Sequence, residues 1–195
     1  VSGMGYDISP LLRFDSLNIP FGAQVTSASL TVTLMMWVQP SCRVIGRYLK
    51  VPWYGNIIDP NGGVSNAPVG WQRRLPNTPW AVNGALGEGT DLISGKYFVL
   101  PPDSSIIPSN GYVTYTVPLD ISVVQSWVNN PAQNNGVKLQ CDAPDVHIYY
   151  VQPQRPDVNK RPLLSVTYII PNSVSGNGNV IPGYSLEQNY PNPFN

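Results

Sequence analysis

Charge is scarce in this chain. Lys and Arg number 11 and Asp and Glu number 11, so charged residues make up 11% and the formal net charge is zero. An average soluble protein has about a quarter of its residues charged. Without a basic excess, neither nucleic acid nor an anionic membrane surface is expected as a partner. Long apolar runs are lacking too. The richest stretch, "LTVTLMMWV", is broken by Thr, and no run has the length of a membrane span. Histidine occurs once, as His147 in "DVHIYYV". A zinc site takes three or four His or Cys ligands, more than this inventory holds. A Ser-His-Asp triad would have to use His147, and no nucleophile-elbow sequence accompanies it. His147 reads instead as a strand histidine on a solvated face. The Gly-rich "NGALGEGTD" lacks the Lys-Ser/Thr pair of a phosphate-binding loop. Cysteine is limited to Cys42 and Cys141. In an oxidising compartment these are expected to pair, closing a loop of about a hundred residues worth ~4–5 kcal/mol. Elsewhere they remain two buried thiols.

Proline (21) and glycine (17) are abundant and scattered without a period. Short elements separated by many turns follow. "VTSASLTVTLMMWV" alternates, with Leu30, Val32, Leu34, Met36 and Val38 on one face. A period of two over that length predicts a strand. "RVIGRYLKV" continues the β character, with Ile45, Leu49 and Val51 on one parity. "GYVTYTVPL" sets Val113, Tyr115 and Val117 on one side, and "GVKLQC", "VHIYYV" and "LLSVTYII" read as further strands. "LDISVVQSWVNNP" breaks the rhythm. Ile121, Val124 and Val128 recur at helical spacing, Asp120 is placed to cap the start and Pro131 lies past the end. A helix of two turns is predicted there. From Pro52 to Pro102 alternation gives way to Trp, Gly and Asn, a long irregular region of the kind that often carries function. The fold class is all-β: an antiparallel β-sandwich, a jelly roll, with one short helix and that long irregular loop region.

Candidate ligand-binding residues lie in the loops. Sugars are held by aromatic faces with planar hydrogen-bonding groups beside them. Trp53, Tyr54 and Trp80, with Arg73 and Arg74, are such a set. The alternative for the rings is that they plug the ends of the sandwich, and for the two arginines that they form a solvated face. Glu88 and Asp91 are the only close acidic pair in the irregular region. They are too slender a basis for glycoside hydrolysis, and read as solvated groups or as ligands of a structural calcium. The chain is therefore expected to be non-catalytic, with no cofactor beyond that calcium. Asn- and Thr-rich strands with few charges lack the edge lysines that block pairing between copies, so self-association is a second expectation.

Several motifs together carry a resemblance. "LLRFDSLNIPFGAQVTSASLTV", "WQRRLPNTPWAVNGALGEGTD", "YTVPLDISVVQSWVNNPAQNNGVKLQ" and "KRPLLSVTY" follow one another over Leu11 to Tyr168. In that order they resemble the DNRLRE (disaggregatase-related) domain. The resemblance implies a secreted jelly-roll module, of a kind found beside carbohydrate-active enzymes or in surface proteins. It also implies that Trp71 and Trp127, within its motifs, are core residues. Members usually carry a strand or two before the "RFD" segment, whereas only ten residues precede Leu11 here. The final "YSLEQNYPNPFN" resembles the first segment of the sorting domain read by type IX secretion in Bacteroidetes-like bacteria. The start at Val1 reads as that of a processed or partial form. The expected organisation is a jelly-roll domain over 1–171, a flexible linker over 172–183 and the start of a sorting domain over 184–195. The expected location is secreted, extracellular or cell-surface. The first functional expectation is binding of a polysaccharide or cell-surface glycan, or adhesion. The second is a self-assembling structural subunit of an extracellular filament or surface layer, built by strand exchange between copies.

Overall fold

A computed structural model describes residues 10–15, 17–36, 43–53, 72–75, 77–100, 113–141, 148–150, 158–171 and 184–189. His147, Tyr54, Trp71, Cys42 and the 172–183 linker lie outside them. The strands are β1 (Leu11–Leu12), β2 (Gln24–Met36), β3 (Val44–Leu49), β4 (Arg73–Leu75), β5 (Thr78–Pro79), β6 (Leu92–Val99) and β7 (Val113–Pro118). Helix α1 (Ile121–Asn129) follows, then β8 (Val137–Cys141), β9 (Ile148–Tyr150), β10 (Leu163–Ile169) and β11 (Tyr184–Asn189). No helix among the described residues is long and apolar enough to cross a membrane.

The strands form an antiparallel β-sandwich. The first sheet runs β1-β8-β3-β6 and the second β11-β10-β2-β7, while β4 and β5 make a separate hairpin. Successive strands β1, β2 and β3 alternate between the sheets, as do β6, β7 and β8, which is the winding of a jelly roll. β2 is the spine of the second sheet. It pairs β10 along its first half and β7 along its second, and β9 takes its far end on the side that β10 leaves.

The main core lies between the sheets. Leu30, Val32 and Leu34 of β2, Tyr115 and Val117 of β7, and Leu164 and Val166 of β10 meet Val44 and Tyr48 of β3, Phe98 of β6 and Leu139 of β8. The alternation in β2, β7 and β10 thus sets the inner face of the second sheet. In β3 the parity shared by Ile45 and Leu49 faces away from the main core. Val44, Gly46 and Tyr48 face the main core, while Leu49 belongs to a cluster on the opposite face of the first sheet. Gly46 makes this possible, because a Cβ there would fall within the ring of Phe98.

α1 forms where its spacing predicts it, with Asp120 as N-cap accepting from the N–H groups of Ser122 and Val123. Its buried face is Val123, Val124, Trp127 and Val128, whereas Ile121, at the first helical position, is 43% exposed. Gln125 fastens the helix to the start of β2. Its Nε2 donates to the Ala23 carbonyl at 3.0 Å and its Oε1 accepts from Val25 N–H at 2.8 Å.

Candidate functional site

The described part of the irregular region covers the outer face of the first sheet. Leu11, Leu49 and Leu92 project from that face, and Trp53, Trp80 and Ala85 close over them. Trp53 and Trp80 are 6% and 4% exposed, so neither presents a face on which a sugar ring could stack. Their place is that of core plugs. The indole Nε1 of Trp53 donates to the Asn135 carbonyl at 2.7 Å. The Arg13 guanidinium lies 5.3 Å above the Trp53 ring centroid and donates to the Trp53 carbonyl at 3.0 Å. Arg74 Nη1 donates to the Pro52 carbonyl at 2.8 Å, which ties the β4–β5 hairpin to the same strap. Arg73 is exposed. The five residues expected to form one binding face are therefore divided. Two rings are buried, one arginine holds backbone, one lies at the surface, and Tyr54 is outside the described residues.

The acidic pair is divided too. Asp91 is 2% exposed, and its carboxylate accepts from the backbone N–H groups of Ala81 at 2.8 Å, Val82 at 2.9 Å and Gly87 at 3.1 Å. Gly87 is required, since a Cβ there would press on the Asp91 carboxylate. Glu88 turns outward, accepting from Gly95 N–H at 2.8 Å and pairing with Arg47. The Gly95 hydrogen bond, with Arg47 next, holds the Glu88 carboxyl below the usual carboxylate range. With their oxygens committed in different directions, Glu88 and Asp91 do not form a calcium site. Among the described residues no group of three or more His, Cys, Asp or Glu is placed to hold a metal ion. Asp91 is the organiser of the 81–91 turn, three backbone N–H groups converging on one buried carboxylate. Lys138 completes the cover from below. It is fully buried on the outer face of β8, and its Nζ donates to the Gly84 carbonyl at 2.6 Å.

A cleft of about 330 Å³ opens at one end of α1, lined by Asp15, Leu17, Asn18, Ile19, Trp127, Val128, Pro131 and Asn134. Two buried polar atoms at it have no hydrogen-bond partner among the described residues, Nε1 of Trp127 and Oδ1 of Asn134. The orientation of the Asn134 amide is set by its Nδ2, which donates to the Phe14 carbonyl at 2.6 Å. An unpaired donor and an unpaired acceptor at one cleft cost free energy until something fills them. No local pattern in the sequence marks Asn134. For Trp127 the resemblance implies burial, and nothing in the sequence points to an unpaired nitrogen.

At the carboxy-terminal end, β11 lies antiparallel to β10 as the edge of the second sheet. Leu186 stands opposite Val166 and Tyr184 opposite Tyr168. Residues 184–189 of the segment expected to begin a sorting domain pair with β10. The candidate disulfide is undescribed at Cys42, while the backbone of Cys141 ends β8 opposite Val44.

Comparison with protein-family models, curated proteins and solved structures finds no match for this chain.

Proposed function

We propose that this chain is a non-catalytic, secreted structural subunit that assembles with copies of itself at the exterior of a bacterium. The observation that carries this reading is β11. A strand beyond a long connection adds to a sheet edge through backbone pairing, the interaction by which β proteins join other chains. Near-zero net charge supports it, because copies meet without mutual repulsion. The non-catalytic part is supported by the use of the carboxylates of Asp91, Glu88 and Asp120, each engaged with backbone N–H groups and two of them with a cation. The secreted part rests on the resemblance of Leu11 to Tyr168 to surface modules and of "YPNPFN" to a sorting signal. The test is imaging of the purified chain by electron microscopy over a range of concentrations. Filaments or sheets are expected, and discrete monomers throughout would refute the reading.

A second reading, carbohydrate binding, is favoured by one observation, the unpaired Trp127 and Asn134 atoms at the cleft. A neutral hydroxylated ligand accepts from an indole N–H and donates to an amide oxygen through its hydroxyls. Titration with neutral mono- and oligosaccharides, followed by thermal shift in the native chain and in Asn134→Leu, tests it. A shift in the native chain that the variant loses supports binding here, and no shift with any sugar sinks it.

A further inference from the structure

Residues 170–183 join β10 to β11, although the two strands are antiparallel neighbours. A hairpin between such strands takes about 2–5 residues. The connection is several times longer than closure demands, and its sequence, "IPNSVSGNGNVIPG", is mostly small and polar. At about 3.3–3.6 Å per residue its contour reaches about 45–50 Å. That exceeds what is needed to step from one strand to the next.

We infer that β11 is an exchanged strand, the β11 of one copy lying on the β10 edge of the next. The inference rests on the assembly reading above and names its contact. The paired register, Leu163 with Asn189 through Tyr168 with Tyr184, consists of backbone hydrogen bonds that are the same whichever copy supplies the strand. The connection decides only the effective concentration of a copy's own strand, about millimolar for a flexible linker. Exchange between copies prevails where their local concentration exceeds that value. The edge itself is suited to exchange. In "LLSVTYI" and "YSLEQN" the only charge is Glu187, so the lysines that usually blunt an edge are missing from both strands. On β10, Leu164, Val166 and Tyr168 are buried, so an edge left empty would open the main core beside them. Donor and acceptor are different surfaces of the subunit. The contact is head-to-tail, and repeated without closure it makes a filament.

Three preparations test this: the full chain, a chain lacking residues 172–195, and a chain lacking residues 174–181. The last keeps β11 on a connection long enough for a hairpin while cutting its contour to about 20 Å. Light scattering and electron microscopy should show assembly that grows with concentration for the full chain and is lost in both shortened forms. A synthetic peptide of residues 184–195, in excess, should shorten the assemblies of the full chain by capping free edges. If the 174–181 deletion assembles like the full chain, or the peptide has no effect on length, the exchange is overturned while the assembly reading stands. If the full chain itself stays monomeric, both fall.

Discussion

The phenol oxygen of Tyr48 accepts the backbone N–H of Asp120 at 2.7 Å. This one bond joins the middle of the first sheet to the start of α1. Tyr48 is fully buried in the main core, edge-on to Phe98 and Trp127. Asp120 in turn caps α1 and pairs with Lys96 of β6 at 2.5 Å. Strands β3 and β6 and the helix thus share a polar network whose centre is Tyr48.

Replacing Tyr48 with Phe leaves the Asp120 N–H without its acceptor while keeping the ring. A loss of about 1–3 kcal/mol in urea unfolding is expected. Burial pushes the Tyr48 phenol up to about 12. Its folded value lies above the ordinary one of about 10, so its contribution is whole below pH ~10 and fades as pH rises toward 12. The native chain should lose stability over that window, and Tyr48→Phe should lose less. Equal alkaline losses would separate Tyr48 from the effect.

Asp120 behaves in the opposite sense. Hydrogen bonds from Lys96 and Ser122 hold its carboxyl down at about 2. A depressed carboxylate contributes above its unfolded pKa of about 4 and loses that contribution as pH falls from about 4 toward 2. With Lys96 partly exposed, about 1–2 kcal/mol is expected after solvent screening. Unfolding midpoints of the native chain and Asp120→Ala, measured from pH 6 to pH 2, should converge at the acid end. A constant gap would contradict the assignment.

Asp91→Ala strips three backbone N–H groups of one acceptor. A cost of about 2–5 kcal/mol is expected, the scale of breaking a buried charged network. Calcium or a chelator should leave the native melting temperature unchanged. A rise in melting temperature with calcium would restore a metal role to this turn.

Trp53→Ala and Trp80→Ala should each destabilise by about 3–5 kcal/mol, as removal of a buried ring does. Retention on a polysaccharide gel should follow the fraction folded. Reduced retention at unchanged stability would return these rings to a binding face.

Strand positions were legible wherever a face is buried. In β2 and β7 the alternation groups Leu30 and Val32, and Tyr115 and Val117, on the faces that the structure turns inward. Helix α1 was legible because Asp120 and the spacing of Val124 and Val128 agree. Which face of β3 is inward was not legible, because both faces carry burial. Its larger aliphatics, Ile45 and Leu49, share the outer parity, and the inner one holds a glycine that only the Phe98 ring explains. The irregular region misled for a related reason. A tryptophan in a loop reads as exposed until the loop is known to fold back over a sheet. The role of Asp91 depends on Ala81 and Val82 returning to it across ten residues of turn, and no local pattern encodes that. The tail reads in sequence as a strand in search of an edge, and only the fold identifies that edge as β10.

The most direct measurement is a cross-link across the β10–β11 register. Ser165 and Glu187 are paired Cα neighbours. With Ser165→Cys and Glu187→Cys combined in the full chain, mild oxidation will form a disulfide between whichever copies supply the two strands, and the native chain serves as control for Cys42 and Cys141. Exchange predicts a ladder of covalent multimers on a non-reducing gel, collapsing to one band with reductant. A single monomeric band at assembling concentrations, with positions 165 and 187 bridged inside one chain, would contradict it.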